Sequence, residues 1–192
     1  MLLVAILAGG RAARFGAAKL DADLAGRAVG LRVVDAAREL GAPLVVIAPE
    51  TAPGFVALAG PIACRCDASV RRGIGRSVAL AAEQALARGV SRLLVCLADM
   101  PLVSPETLRR LADVSGDAAA AVRQRDGSAG PPACFGAGLF ARLATLDGDS
   151  GAKRMLAALD EVRLVDAPPH ELLDIDTRDD LAAAAAYLAG VA

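Results

Sequence analysis

Two cations and three carboxylates stand out in a chain otherwise poor in reactive side chains. Arg14 and Lys19 lie in LAGGRAARFGAAK, Leu7 to Lys19, at the end of the apolar run MLLVAI. Gly9 and Gly10 let backbone N–H groups approach a bound anion, and Arg14 and Lys19 can supply charge to phosphate oxygens. The order is neither G-x-G-x-x-G nor G-x-x-x-x-G-K-[ST], since Lys19 comes three residues after Gly16 and precedes Leu20, so a solvated basic turn is the competing reading. Asp99, in LADMPLVSP, follows the apolar run RLLVCL, where a carboxylate can hold Mg²⁺ beside substrate phosphates; a turn-former before Pro101 is the alternative. In LLDIDTRDDL, Thr177 and Asp180 read as a helix cap and its partner, leaving Asp174 and Asp176 without a structural reason. One of these two, with Asp99, can complete a magnesium site, although a polar turn accounts for them as well.

Two further loops carry glycine or charge at a helix start. In DASVRRGIGRSVALA, Gly73 and Gly75 permit close approach of a ligand to a helix N-terminus. In LDGDSGAKRML, Asp149 or Ser150 caps a helix whose first turns carry Lys153 and Arg154. Cations there oppose the helix dipole, which an anionic ligand or plain solvent exposure would explain. His170 is the single histidine, without a Ser/His/Asp or Cys/His pattern, so acyl transfer and histidine acid–base catalysis are not expected. With one Tyr, four Phe and no Trp, a nucleobase would be read largely by backbone groups rather than by stacking.

These residues need elements to hold them. Val-, Ile- and Leu-rich runs alternate with helical patterns, which predicts an α/β fold: Rossmann-like, a mostly parallel sheet with helices on both faces, in one domain over residues 1–192. Strands are expected at Leu2 to Leu7, Leu44 to Ala48 and Arg92 to Leu97, and more weakly at Ile62 to Cys66, Ala118 to Val122 and Glu161 to Val165. Helices are expected at Leu31 to Leu40, Ser77 to Arg88, Pro105 to Ala112, Gly138 to Ala144, Gly151 to Leu159 and Arg178 to Ala189. Ser104 before Pro105 reads as an N-cap, and Gly41 and Gly89 suit helix C-termini. In such a sheet ligands collect beyond the carboxyl ends of strands, which brings the loops after Leu7 and Leu97 to one crevice.

Bulk properties remove several classes. A net charge of -1 gives no electrostatic footprint for non-specific nucleic-acid binding. No apolar run approaches the roughly 18 to 20 residues of a membrane span. Cys64, Cys66, Cys96 and Cys134 show no C-x-x-C repeat, and the expected role is that of small buried apolar residues in a reducing, cytoplasmic setting.

Taken in order, LAGGRAARFGAAK, GIGRSVALA, LADMPLVSP, GPPACF, LDGDSGAK and DIDTRDDL resemble the landmarks of the molybdenum cofactor nucleotidyltransferases, over nearly the whole chain. The later motifs are similar to the molybdenum cofactor cytidylyltransferase branch, whereas LAGG is similar to the related molybdopterin guanylyltransferases, the cytidylyltransferases commonly having LAAG. Ala12 stands where the family often has serine. The resemblance implies a nucleotide-diphospho-sugar transferase-like fold. It also implies that Leu7, Ala8, Gly9 and Gly10 line the nucleotide, that Arg14 and Lys19 contact its triphosphate, and that Asp99 and Asp176 bind Mg²⁺. Asp67 and Ser77 would sit near base or sugar. Pro132, with the rest of Gly130 to Phe135, and Asp149, Gly151 and Lys153 would face the molybdopterin acceptor.

The implied reaction moves a nucleoside monophosphate from CTP onto the terminal phosphate of molybdopterin and releases pyrophosphate. A phosphate nucleophile is already anionic, so no general base is required. Rival readings are a GTP-using enzyme, a transferase acting on another phosphorylated acceptor such as a sugar phosphate, and a carrier that hands finished cofactor to a molybdoenzyme without turnover. The set of Lys19, Asp99 and Asp176 argues against the carrier, which has no evident need for a metal site.

Overall fold

The structure is a computed structural model and describes residues 1–9, 15, 18–113, 118–149, 151–159 and 161–191. Strand β1, Leu2–Leu7, is followed by a small hairpin of β2, Asp23–Leu24, and β3, Arg27–Ala28. Helix α1, Val29–Arg38, leads to β4, Leu44–Ala48, then to the short helix α2, Phe55–Leu58, and β5, Ala63–Cys66. Helix α3, Ile74–Ala87, precedes β6, Arg92–Leu97, and α4, Pro105–Ala112. The last part holds β7, Ala119–Arg123, β8, Ala129–Gly136, α5, Phe140–Ala144, α6, Gly151–Ala157, β9, Val162–Val165, and α7, Arg178–Val191.

Seven strands form one sheet in the order β5-β4-β1-β6-β8-β7-β9. Neighbours pair in parallel except around β8, which runs antiparallel to both β6 and β7. The mostly parallel sheet with helices on both faces is the expected class. Its central strands read as unbroken apolar runs because each face is covered. Along β1, Val4 and Ile6 face α1 and α4, while Leu3, Ala5 and Leu7 face α3, α5 and α6. On β6, Leu94 and Cys96 join the first of these clusters and Leu93 and Val95 the second. Among the described residues no helix is long and apolar enough to cross a membrane.

Strand β8 was not expected from its sequence, AGPPACFG, because two prolines in an interior strand remove ladder donors. The structure reconciles them. Pairing with β6 begins only at Ala133, opposite Val95, so Pro131 and Pro132 lie past that ladder. Toward β7 the register jumps from Ala121 opposite Ala133 to Val122 opposite Gly130, and both prolines fall in this bulge, where no N–H is required. The hairpin β2–β3 and helix α2 were also unpredicted. Helix α3 begins at Ile74 rather than Ser77, which places Gly75 inside its first turn, and the helix expected from Gly138 begins as α5 at Phe140 after a 3₁₀ turn.

Local signals fix the ends that matter for the crevice. Ser104 Oγ accepts from Thr107 N at 3.2 Å with Pro105 at the first helical position, as the sequence indicated for α4. Thr177 and Asp180 form a reciprocal cap at the start of α7: Thr177 N donates to Asp180 Oδ2 at 2.7 Å and Asp180 N to Thr177 Oγ1 at 3.1 Å. Asp180 Oδ2 also accepts from Asp176 N at 3.1 Å, which fixes the backbone of that residue.

Leu94, fully buried in the middle of β6, tests how far the sheet depends on its central strand. Leu94→Ala should lower the unfolding free energy by about 2–5 kcal/mol, measured by urea denaturation.

Candidate active site

Three segments distant in sequence converge beyond the carboxyl ends of β1 and β6. Lys19 lies in a 3₁₀ turn following the glycine loop, Asp99 two residues past β6, and Asp176 just before α7. Lys19 Nζ donates to Asp99 Oδ2 at 2.7 Å and to Asp176 Oδ1 at 2.8 Å, and Lys19 is only 3% exposed. Burial works to lower its pKa, but the charge of Asp99 and hydrogen bonds to Asp176 and Asp99 outweigh it. The pKa therefore ends above the ordinary lysine value and Nζ stays charged.

The carboxylate loops are tied to each other by backbone. Ile175 N donates to Asp99 O at 2.9 Å, with the Ile175 side chain fully buried, so Asp174 and Asp176 flank Asp99 on a fixed segment. Asp176 is the one that touches Lys19. Asp174 feels desolvation first and then the charges of Asp99 and Asp176, which push its pKa up to about 6. Glu171, buried at the end of the preceding segment, accepts from Ser104 N at 3.1 Å and pins this segment to the loop after β6.

A cavity of about 250 Å³ opens beside Asp99 and is lined by Leu7, Gly9, Val70, Arg71, Gly73, Ile74, Ser77, Leu97 and Asp149. It brings together three of the residues expected at the nucleotide (Leu7, Gly9 and Ser77), the expected metal ligand Asp99 and one residue expected at the acceptor, Asp149. Ala8 instead borders a separate hollow together with Lys19. Asp67 does not line the cavity. Its carboxylate accepts from Ser69 N at 2.9 Å, capping the 3₁₀ turn Ala68–Arg72, and pairs with Arg65 at 3.0 Å, so it shapes the wall rather than facing a ligand. Gly10 and Arg14 lie outside the described residues. Val70, Arg71, Ile74 and Leu97 were not singled out. Val70, Arg71 and Ile74 belong to the VRRGIG segment that leads into α3, and Leu97 is the last residue of β6.

A narrow apolar slot of about 80 Å³ adjoins the cavity and shares Leu7, Ile74, Leu97 and Asp149 with it. Its other walls are Val78, Val95, Ala133, Phe135 and Leu156, with Pro131 and Lys153 at its border. Of the residues expected at the acceptor, Asp149 and Lys153 border this slot. Pro132 is buried, and Pro131 rather than Pro132 borders the slot. Gly151 starts α6.

Two glycine contacts hold cavity and slot together. Gly73, at φ +134°, adopts a backbone that favours glycine, and a Cβ there would meet the carbonyl carbon of Gly148 at 2.4 Å. Gly75 N donates to Gly148 O at 2.8 Å, and Arg72 pairs with Asp147. The loop leading into α3 and the loop before α6 are therefore clasped. Gly9 has a different reason. A Cβ on it would stand 2.3 Å from Val70 Cγ1 and 3.0 Å from Ser77 Oγ, so the valine occupies the space that alanine would need.

Two carboxylates around one cationic centre are a donor set that suits a divalent ion completed by substrate phosphates and water, and the Lys19 ammonium marks the point both can reach. Among the described residues no group of three or more His, Cys, Asp or Glu side chains forms a closed metal site. Chemically, the crevice can hold a polyphosphate and its metal at Lys19, Asp99 and Asp176, with two adjoining spaces for the groups to be joined.

Gly9→Ala should destabilise the fold by about 1–3 kcal/mol through overpacking. Adding Val70→Ala should recover much of that loss, with a coupling of about 0.5 kcal/mol or more in a urea-denaturation cycle. Strict additivity would show that Val70 is not the constraint on residue 9.

Comparison with known proteins agrees with this geometry. The MobA-like NTP transferase domain family matches residues 4–162. Rv0371c from Mycobacterium tuberculosis H37Rv is 29% identical, with a TM-score of 0.80 over 96% of this chain and 97% of that one, and has also been solved in complex with manganese. A nucleotidyl transferase from Methanothermobacter thermautotroptrophicus is 25% identical, with a TM-score of 0.86 over 100% of this chain and 99% of that one. The molybdopterin-guanine dinucleotide biosynthesis protein A of Archaeoglobus fulgidus, 20% identical, shares the fold at a TM-score of 0.69 over 98% of this chain and 99% of that one. No curated protein matches the chain. A family match over most of the sequence, on a sheet that brings Lys19, Asp99 and Asp176 together, makes this chain a nucleotidyltransferase belonging to the MobA-like NTP transferase family.

Proposed function

We propose that the chain transfers CMP from CTP to the terminal phosphate of molybdopterin and releases pyrophosphate. The observation that carries this reading is Lys19, held between Asp99 and Asp176 at the head of a cavity that opens into a second, apolar slot. An acceptor phosphate oxygen attacks the α-phosphorus of the nucleotide; the new P–O bond forms as the bond to the β-phosphate oxygen breaks, and pyrophosphate carries away the negative charge. Because the nucleophile is already an anion, the chain need supply no general base. The single histidine, His170, is stacked on Tyr187 with ring centroids 4.0 Å apart and accordingly has no part in the scheme.

Asp99 and Asp176 would hold Mg²⁺, which when bound neutralises phosphate charge. Lys19, kept charged at this point, would neutralise the charge that grows toward the leaving pyrophosphate, and Arg14 would contact the triphosphate from the glycine loop. Gly9 and Ser77 would line the nucleotide, while Asp149 and Lys153 would border the acceptor. Catalysis is then positioning together with charge stabilisation.

The slot favours a flat heterocyclic acceptor over a sugar phosphate. Val78, Val95, Ala133, Phe135 and Leu156 offer no partners to sugar hydroxyls, whose burial without hydrogen bonds is unfavourable. GTP is the second reading for the nucleotide, favoured by the LAGG motif. Val70 supplies a packing reason for Gly9, so this glycine by itself is no argument for guanine over cytosine.

A pyrophosphate-release assay with each of the four NTPs, with and without molybdenum cofactor, should give release with CTP only when the cofactor is present. Release with GTP would assign the chain to the guanylyl reading, release with a sugar phosphate would reassign the acceptor, and no release with any pair would favour the carrier. In the same assay Asp99→Ala should abolish most turnover, and near-normal rates at saturating Mg²⁺ would remove Asp99 from metal binding. Lys19→Ala should raise KM for the nucleotide and lower kcat by about 10²–10³-fold.

A further inference from the structure

The four cysteines divide into two kinds. Cys96 on β6 and Cys134 on β8 are buried in the sheet core, and burial pushes the Cys134 thiol up to about 12, as suits inert packing residues. Cys64 and Cys66 depart from the expectation of burial. Both are exposed on β5, an edge strand of the sheet, and their Sγ atoms stand 3.5 Å apart. The reason lies in the strand period: residues i and i+2 share a face, and Arg65 between them is paired with Asp67 instead.

We propose that Cys64 and Cys66 form a two-thiolate chelate for a thiophilic divalent ion of the Zn²⁺ or Cd²⁺ class, separate from the nucleotide crevice. With metal–sulfur bonds of about 2.3 Å, a sulfur separation of 3.5 Å closes an S–metal–S angle of about 100°. That is near the tetrahedral angle and far from a straight line, so the pair fits an ion with tetrahedral coordination rather than one that binds two sulfurs linearly. Direct disulfide formation is the poorer match, since residues two apart on an extended strand have Cα atoms about 6.6 Å apart, near the upper end of the range a disulfide spans.

Among the described residues no third cysteine, histidine or carboxylate joins the pair in a larger metal cluster. The chelate therefore presents two sulfurs and leaves its other positions to water or small ligands. Binding is balanced by proton release: one divalent ion and two thiols give a neutral dithiolate complex and two protons. Partial desolvation first, and the hydrogen bond to Cys66 second, push the Cys64 thiol up to about 11, so affinity falls as pH falls through the working range.

The test is titration of the reduced full chain with Cd²⁺ alone, followed by the ultraviolet thiolate-to-metal charge-transfer band and by proton release in weak buffer. One ion per chain is expected at these thiols, with two protons released per ion and an affinity that drops about 100-fold per pH unit below neutrality. Cys64→Ser and Cys66→Ser should each weaken binding on the order of 10²-fold, because the second sulfur acts at high effective concentration. Far-ultraviolet circular dichroism of each variant establishes that it is folded. One proton per ion, or single variants that each keep about half of an unchanged signal, would mean two independent thiols and would overturn the chelate.

Discussion

The buried ammonium of Lys19 is the constraint around which the crevice is arranged. A lysine with 3% exposure needs compensation for the water it has lost, and removing either partner would leave charge poorly matched. Asp99 and Asp176 supply that compensation from 80 and 157 residues further along the chain. Satisfying one side chain therefore requires the end of β1, the end of β6 and the start of α7 to meet. The backbone bond from Ile175 to Asp99 and the contact of Glu171 with Ser104 hold them in place. In the proposed reaction the same three groups serve a second purpose: the two carboxylates hold the metal and the ammonium faces the polyphosphate.

Strand β8 adds an apolar slot to this arrangement. Inserted antiparallel between β6 and β7, it carries Ala133 and Phe135 on the face that meets α3 and α6. There they join Val78, Val95 and Leu156 around the apolar slot. The proline bulge bends the chain out of the ladder where the slot opens, placing Pro131 toward it. A parallel strand at this position would have run in the opposite direction, leaving Gly130 and the prolines at the far end of the sheet. The antiparallel strand is thus what brings the apolar slot to the carboxyl edge of the parallel half.

Gly73, Gly75 and Gly148 join the two surfaces. At Gly73 and Gly75 the backbone lies too close to the Gly148 carbonyl for a side chain to fit, so the loop entering α3 and the loop before α6 share one wall. Ile74, at the first turn of α3, borders both cavity and slot, and Asp149 does so from the other side. In the proposed reaction this wall is where nucleotide and acceptor meet. Its rigidity comes from backbone contact and an Arg72–Asp147 ion pair rather than from a large apolar interface.

Much of this was legible in the sequence because it rests on short-range rules. Apolar runs of β1, β4 and β6 marked strands buried on both faces, and Ser104–Pro105 and Thr177–Asp180 marked helix starts. Lys19, Asp99 and Asp176 stood out by type and by their places at loop ends, although a turn could account for each of them locally. Other features depend on residues that meet only in the folded chain. Pro131 and Pro132 argued against a strand until the bulge and the end of the β6 ladder gave them places without donors. Asp67 resembled a ligand-facing residue, yet its nearest donor was Ser69 and its role was to cap. The reason for Gly9 was Val70, and whether Cys64 and Cys66 were buried depended on β5 lying at the sheet edge. Periodicity and capping act over a few residues, so the sequence by itself determined the elements and the chemical types available. Which carboxylate reaches Lys19, which proline faces the slot and what fills the space beside Gly9 were decided by strand order and packing, because those contacts join parts of the chain that no local pattern connects.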